Sequence, residues 1–127
     1  MTNGEKDIIK NKLIQWGQTD ALIVEKQKEI EELREKINSK KFDIIIPEYK
    51  RRIRLLEKEI KTLLRESMDI HDFLLTIGGR ERDIIYYRYK DGIKWELIAK
   101  KTGLSRIQCF RVHNKAVEKL WDFWNKR

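Results

Sequence analysis

At 127 residues the chain is long enough for one ordinary domain, or a small domain with a helical extension, and too short for a large multi-domain enzyme. Charged residues make up 39% and hydrophobic ones 40%, with one proline and six glycines, a balance that predicts an all-α fold of long amphipathic helices. The net charge of +8 is unevenly spread: residues 1–77 hold 16 basic and 15 acidic side chains, a net +1, whereas residues 78–127 hold 13 and 6, a net +7. A polyanion is the natural partner for the second half.

No run of 18 apolar residues is present, and the opening MTNGEKDIIKNK lacks the apolar core of a signal peptide, so a soluble cytoplasmic protein with no membrane partner is expected. One cysteine, Cys109, excludes an intramolecular disulfide. With only His71 and His113 beside it, no spacing typical of zinc arises, and neither metal nor cofactor is expected.

From the amino terminus, Ile9, Trp16, Ile23, Ile30 and Ile37 recur every seven residues, with Leu13 and Leu33 on the same stripe, which predicts one long amphipathic helix. Asn38-Ser39 and the segment through Pro47 interrupt it, since proline fixes φ and lacks a donor but is tolerated in a first turn. A second helix follows, with Ile53, Leu56, Ile60, Leu63, Ser67, Ile70, Leu74 and Ile77 alternating three and four residues apart. Residues 1–77 are therefore expected to form a helical arm, either a hairpin folded back on itself or a coiled coil between chains, and a homodimer is expected. The basic run Lys50 to Arg54 reads as a solvated helix surface. Gly78-Gly79, directly after Ile77, marks the expected helix stop and domain boundary.

Residues 78–127 form the second expected domain. Arg80 to Lys90 reads as a helix, Asp91-Gly92 as a turn, and Lys94 to Lys101 as a short helix ended by Thr102-Gly103-Leu104; Ser105 is placed to cap a longer helix. Short helix, glycine turn, capping hydroxyl and long helix make a helix-turn-helix pattern. Ala99 permits close approach, Gly103 the turn, and Leu104 an apolar plug. Cys109, Val112, Ala116 and Leu120 fall on one face and should pack inward, leaving Arg106, Ile107, Gln108, Arg111 and Lys115 toward the other side. His113 and His71 read as surface or boundary histidines. Trp121, Phe123 and Trp124 are expected to pack against other helices.

The stretch RERDIIYYRYKDGIKWELIAKKTGLSRIQCFRVHNKAVEKL keeps the order of RER, RY, WELIA, GLS and AVEKL that resembles region four of primary-type bacterial sigma factors, over about the last fifty residues. Together with the long helical first half and the wording KWELIA, it looks more specifically like small phage and prophage late-gene regulators of the RinA/ArpU-like group. The resemblance implies base-edge contacts to double-stranded DNA at Arg106, Ile107 and Arg111, and phosphate contacts at Arg88, Gln108 and Lys115, with Trp95, Lys101 and Ser105 nearby. It also implies RNA polymerase as a partner and a bacterial host cell.

Physical chemistry supports several of these roles independently, because arginine can grip guanine O6 and N7 with two hydrogen bonds while lysine on phosphate adds affinity without sequence information. Ile107 stands where sigma factors commonly carry an acid, and could touch a thymine methyl; Phe110 replaces a commonly basic residue. The charged heptad helices do not resemble a promoter-melting region. A sequence-specific transcription regulator is thus the expected function, with a small terminase-like packaging subunit or a coiled-coil adaptor as alternatives. The sequence has no glycine-rich phosphate loop and no nucleophile–base pairing, so catalysis is not expected.

Overall fold

The computed structural model of the chain describes residues 1–39 and 43–126, and among them all regular structure is helical. In chain order come α1 (Asn3–Asn38), a 3-10 turn (Asp43–Ile45), α2 (Ile46–Leu74) and α3 (Gly79–Ile85). The last passes directly into a π-helical turn (Tyr86–Lys90), followed by α4 (Trp95–Thr102) and α5 (Arg106–Asn125). No helix among the described residues is long and apolar enough to cross a membrane.

Contacts divide the chain into two compact units, one made of residues 1–18 with 67–126 and the other of residues 19–66. These bounds differ from the expected halves 1–77 and 78–127. A heptad stripe tells which positions are apolar but not what covers them. In the first unit Ile9, Leu13 and Trp16 of α1 and Ile70, Phe73, Leu74 and Ile77 at the end of α2 are buried with Ile85, Ala116, Val117 and Leu120. Trp121, Phe123 and Trp124 pack around the same core, Phe123 against Phe73 at 5.5 Å between ring centres. A neighbouring cluster joins Ile84, Ile98 and Cys109, with Ala99, Leu104 and Val112 packed on it.

In the second unit α1 and α2 run in opposite directions and pair within the chain. Ile30 and Leu33 are buried with Ile53 and Leu56. Lys26 bonds Glu59 at 2.7 Å, and Arg52 grips both carboxylate oxygens of Glu29 at 3.1 Å. Within the basic run, Arg51 is likewise held by Glu48. The interruption expected between Asn38 and Pro47 falls partly on residues 40–42, outside the described residues. On its near side Ser39 Oγ donates to the Lys36 carbonyl at 2.7 Å, and on its far side Pro47 lies in the first turn of α2, where its missing N–H costs nothing.

Helix α2 stops at Leu74, ahead of the expected glycine stop. The Arg82 guanidinium explains how: it donates to the carbonyls of Leu74 at 2.9 Å and Ile77 at 3.3 Å, and Thr76 Oγ1 donates to Phe73 at 2.6 Å, so the last turn is satisfied by side chains. Gly78 then serves as the N-cap of α3.

In the first unit α1 comes close against the π-helical turn. Lys90 Nζ donates to the Trp16 carbonyl at 3.1 Å and lies over the Trp16 ring, which meets Tyr86 edge-on at 5.2 Å. A Cβ on Gly17 would run into the backbone carbonyl of Tyr89. Only glycine lets the two backbones meet.

Two outcomes follow. Gly17→Ala should destabilise the chain by about 1–3 kcal/mol through overpacking, despite alanine's advantage of about 1 kcal/mol in a helix interior. Gly4→Ala, whose Cβ meets nothing closer than Thr2 Oγ1 at 3.9 Å, should cost nothing; urea denaturation of both variants checks this. A fragment of residues 78–127 should lack a cooperative unfolding transition, because Ile85, Val117 and Leu120 would lose their covering side chains from α1 and α2.

Candidate nucleic-acid interface

The connection from α4 to α5 is set by local chemistry. Gly103 adopts φ +73°, a left-handed conformation that side chains strain against, and its N–H closes α4 on the Ala99 carbonyl at 3.0 Å. Thr102 Oγ1 donates back to Ile98 at 2.8 Å. Ser105 and Gln108 form a reciprocal capping box: Ser105 Oγ accepts from Gln108 N at 3.1 Å, and Gln108 Oε1 accepts from Ser105 N at 2.9 Å. Both side chains thus fix the start of α5.

Along α5, Cys109, His113, Ala116, Val117 and Leu120 are buried, and Val112 is half-buried. The opposite side holds Arg106, Ile107, Gln108, Arg111 and Lys115, all exposed. Ile107, Arg111 and Lys115 follow at intervals of four residues, one outward stripe. Ile107 is 65% exposed. His113 corrects the expectation of a surface histidine: it lies four residues after Cys109 and four before Val117, on the inward stripe, and is 4% exposed.

Four side chains link the start of α5 to the π-helical turn. The Arg106 guanidinium lies 5.6 Å from the Phe110 ring centre, Phe110 meets Trp95 edge-on at 4.9 Å, and the Arg88 guanidinium lies 5.0 Å over Trp95. Aromatic faces attract cations and stiffen their side chains, so the two guanidinium groups are held at either end of the series. Arg88 also donates to the Ile93 carbonyl at 3.4 Å. Lys101 is exposed near the end of α4 and lies over Tyr87 instead, outside this series. Arg88 and Trp95 are only half-exposed, Arg88 in the π-helical turn and Trp95 at the start of α4.

Beside these residues opens a cleft of about 880 Å³, walled by α1, the π-helical turn, Trp95 and α5. His113 closes its inner wall. The ring meets Trp95 edge-on at 5.2 Å and stacks on Tyr89 at 5.7 Å. Nε2 accepts from the Tyr89 hydroxyl at 2.7 Å, and Nδ1–H donates to Asn114 Oδ1 at 3.2 Å, an arrangement that needs a neutral ring. Burial pushes the His113 pKa down to about 4; the Asn114 hydrogen bond opposes this, while the charges of Lys10 and Arg88 add to it. Burial likewise pushes the Tyr89 hydroxyl up to about 12, so it stays a donor. Among the described residues no group of three or more potential metal ligands comes together.

Sequence reasoning missed Phe110, Tyr89 and His113 as parts of this site, though the inward spacing of His113 was available as a signal. Lys10 carries no local signal, since only the tertiary fold brings α1 to the cleft. No protein-family model, curated protein or solved structure matches the chain.

The neutral His113 makes stability depend on pH. The unfolded chain takes up a proton near the ordinary value of 6.5, and the folded one only near 4, so this contribution is intact above pH 6.5 and is lost as pH falls toward 4. The loss should approach about 3 kcal/mol at 1.36 kcal/mol per pH unit. Urea midpoints measured between pH 4 and 7.5 should therefore fall more steeply for the natural chain than for His113→Gln; parallel curves would rule out a neutral buried imidazole.

Proposed function

We propose that the chain is a sequence-specific regulator of transcription that binds double-stranded DNA through a helix-turn-helix made of α4, the Gly103 turn and α5. The observation that carries this reading is the outward stripe of α5, where Arg106, Ile107, Arg111 and Lys115 are exposed on a helix whose opposite face is fully occupied by core packing. A helix such as α5, about 10–12 Å in diameter with its side chains, fits the width of the major groove, about 12 Å. At its start, Arg106 and Arg111 have the donors to read guanine, and exposed Ile107 suits a thymine methyl. Lys115 farther along, and Arg88 in the flank, supply positive charge for phosphates, while Ser105 and Gln108 orient the helix through the cap.

The net +7 of residues 78–127 favours a polyanion over a protein partner. The resemblance to sigma region four and to phage late-gene regulators supports the same reading, and with it contact to RNA polymerase in a bacterial host. In this reading residues 19–66 form a coiled-coil-like hairpin available for self-association into a homodimer or for partner docking.

Selection of duplexes from a random pool should enrich one motif, bound in a salt-sensitive manner. Arg111→Ala should then lose about 1–3 kcal/mol on that motif and relax the preference at one base pair. An unchanged preference in Arg111→Ala would sink the assignment of the reading face. Binding without any enriched motif by a ring-shaped oligomer would favour genome packaging, and absence of binding at low salt would favour an adaptor.

A further inference from the structure

We infer that the amino-terminal helix α1 is part of the DNA-contacting surface, with Lys10 and Arg88 forming the two sides of a seat for one backbone phosphate in the cleft beside α5. This rests on the DNA-binding reading above and extends the surface to a segment that lies some 95 residues away in sequence from the recognition helix.

Three features of the cleft lead there. Its walls carry Lys10, Arg88 and Lys90 against a single carboxylate, Asp91, and its histidine is neutral, so the cleft is net positive. Lys90 is committed to the Trp16 carbonyl and ring; Arg88, though it lies over Trp95 and gives one N–H to the Ile93 carbonyl at 3.4 Å, has five donors and keeps others for a ligand, and Lys10 is the second cation that can turn to one. Among the described residues Lys10 has no ion-pair partner.

The second feature is position. Phe110 and Asn114, which line the cleft, sit three residues after Ile107 and Arg111. On a helix that spacing makes direct neighbours, so the cleft opens along the flank of the outward stripe. A DNA strand whose bases face that stripe carries its phosphates past the helix flank. The series Arg106, Phe110, Trp95, Arg88 runs from the start of α5 to the cleft with no step longer than 5.6 Å.

The third feature is rigidity. Lys10 lies on the same stretch of α1 as Ile9, Leu13 and Trp16, all buried, and Gly17 locks that stretch onto the π-helical turn. The backbone that carries Lys10 is therefore already fixed, and meeting a phosphate orders only its side chain. Phosphate contacts of this kind fix register and contribute affinity without selecting sequence.

The test uses the full-length chain and the duplex it selects, with a scrambled duplex beside it, across a salt series. Lys10 is half-exposed, so Lys10→Ala should keep the natural melting temperature. It should weaken both duplexes by a similar severalfold factor and reduce the steepness of log affinity against log salt by about 0.9, the value for one phosphate contact. Lys10→Arg should restore both quantities, and Lys28→Ala, which removes the same charge outside the cleft, should leave them unchanged.

If Lys10→Ala keeps natural affinity and salt dependence while Arg111→Ala loses base preference, the phosphate seat is wrong and the DNA reading stands. Equal effects of Lys10→Ala and Lys28→Ala would reduce the seat to general charge and overturn it. If the natural chain binds neither duplex, the DNA reading falls and the seat with it.

Discussion

The seating of α1 on the π-helical turn is the contact on which the first unit turns. Trp16 fills the core beneath Tyr86, the Lys90 ammonium closes on the Trp16 carbonyl, and Gly17 lets the Tyr89 carbonyl approach where any side chain would intrude. A π-helical turn carries one more residue than an α turn between bonded groups, here Asp91 N to Tyr86 O, and so swings its side chains and carbonyls to positions a regular helix would not offer. Tyr89 is thereby aimed at His113 and Arg88 at Trp95. The cleft is the space left over between these parts.

The same contact explains why the compact unit is larger than the fifty-residue module that the sequence suggests. A short bundle of three small helices buries too little surface to be stable by a wide margin. Here α3, α4 and α5 are supplemented by one stretch from each long helix, which covers Ile85, Ala116, Val117 and Leu120. The core is therefore assembled from both ends of the chain, while the outward face of α5 contributes nothing to it. Core and surface roles are separated on a single helix, so Ile107, Arg111 and Lys115 stand outside the buried core.

Residues 19–66 rest on thinner support. Among the described residues Ile30, Leu33, Ile53 and Leu56 form their core cluster, with Ile37, Tyr49 and Ile60 around it, and Leu63 is buried as well. The ion pairs of Lys26 with Glu59 and Arg52 with Glu29 are partly or largely exposed, so water and salt screen them and they add little net stability. Their larger effect is on register: a slip of one turn would set Lys26 against a leucine, Leu55 or Leu63, in place of Glu59. The exposed Val24 and Leu55 leave apolar side chains on the same unit's surface.

Much of this was legible in the amino-acid order. Helix positions followed from apolar periodicity, the turn from Gly103, and the start of α5 from Ser105, because these are local effects in which a residue acts on its own backbone; the reciprocal bond from Gln108 was not anticipated. The exposed set Arg106, Ile107, Arg111 and Lys115 followed from the same periodicity. The end of α2 at Leu74, the pairing of His113 with Tyr89, the π-helical turn and the arrival of Lys10 at the cleft that Arg88 also lines did not, since each depends on a partner in another element: Arg82 reaching the carbonyls at the end of α2, Tyr89 meeting His113, and α1 pressing on Tyr86–Lys90. Periodicity states which face of a helix avoids water; only the tertiary structure decided what that face meets, because packing joins residues by shape and proximity that their order along the chain does not record.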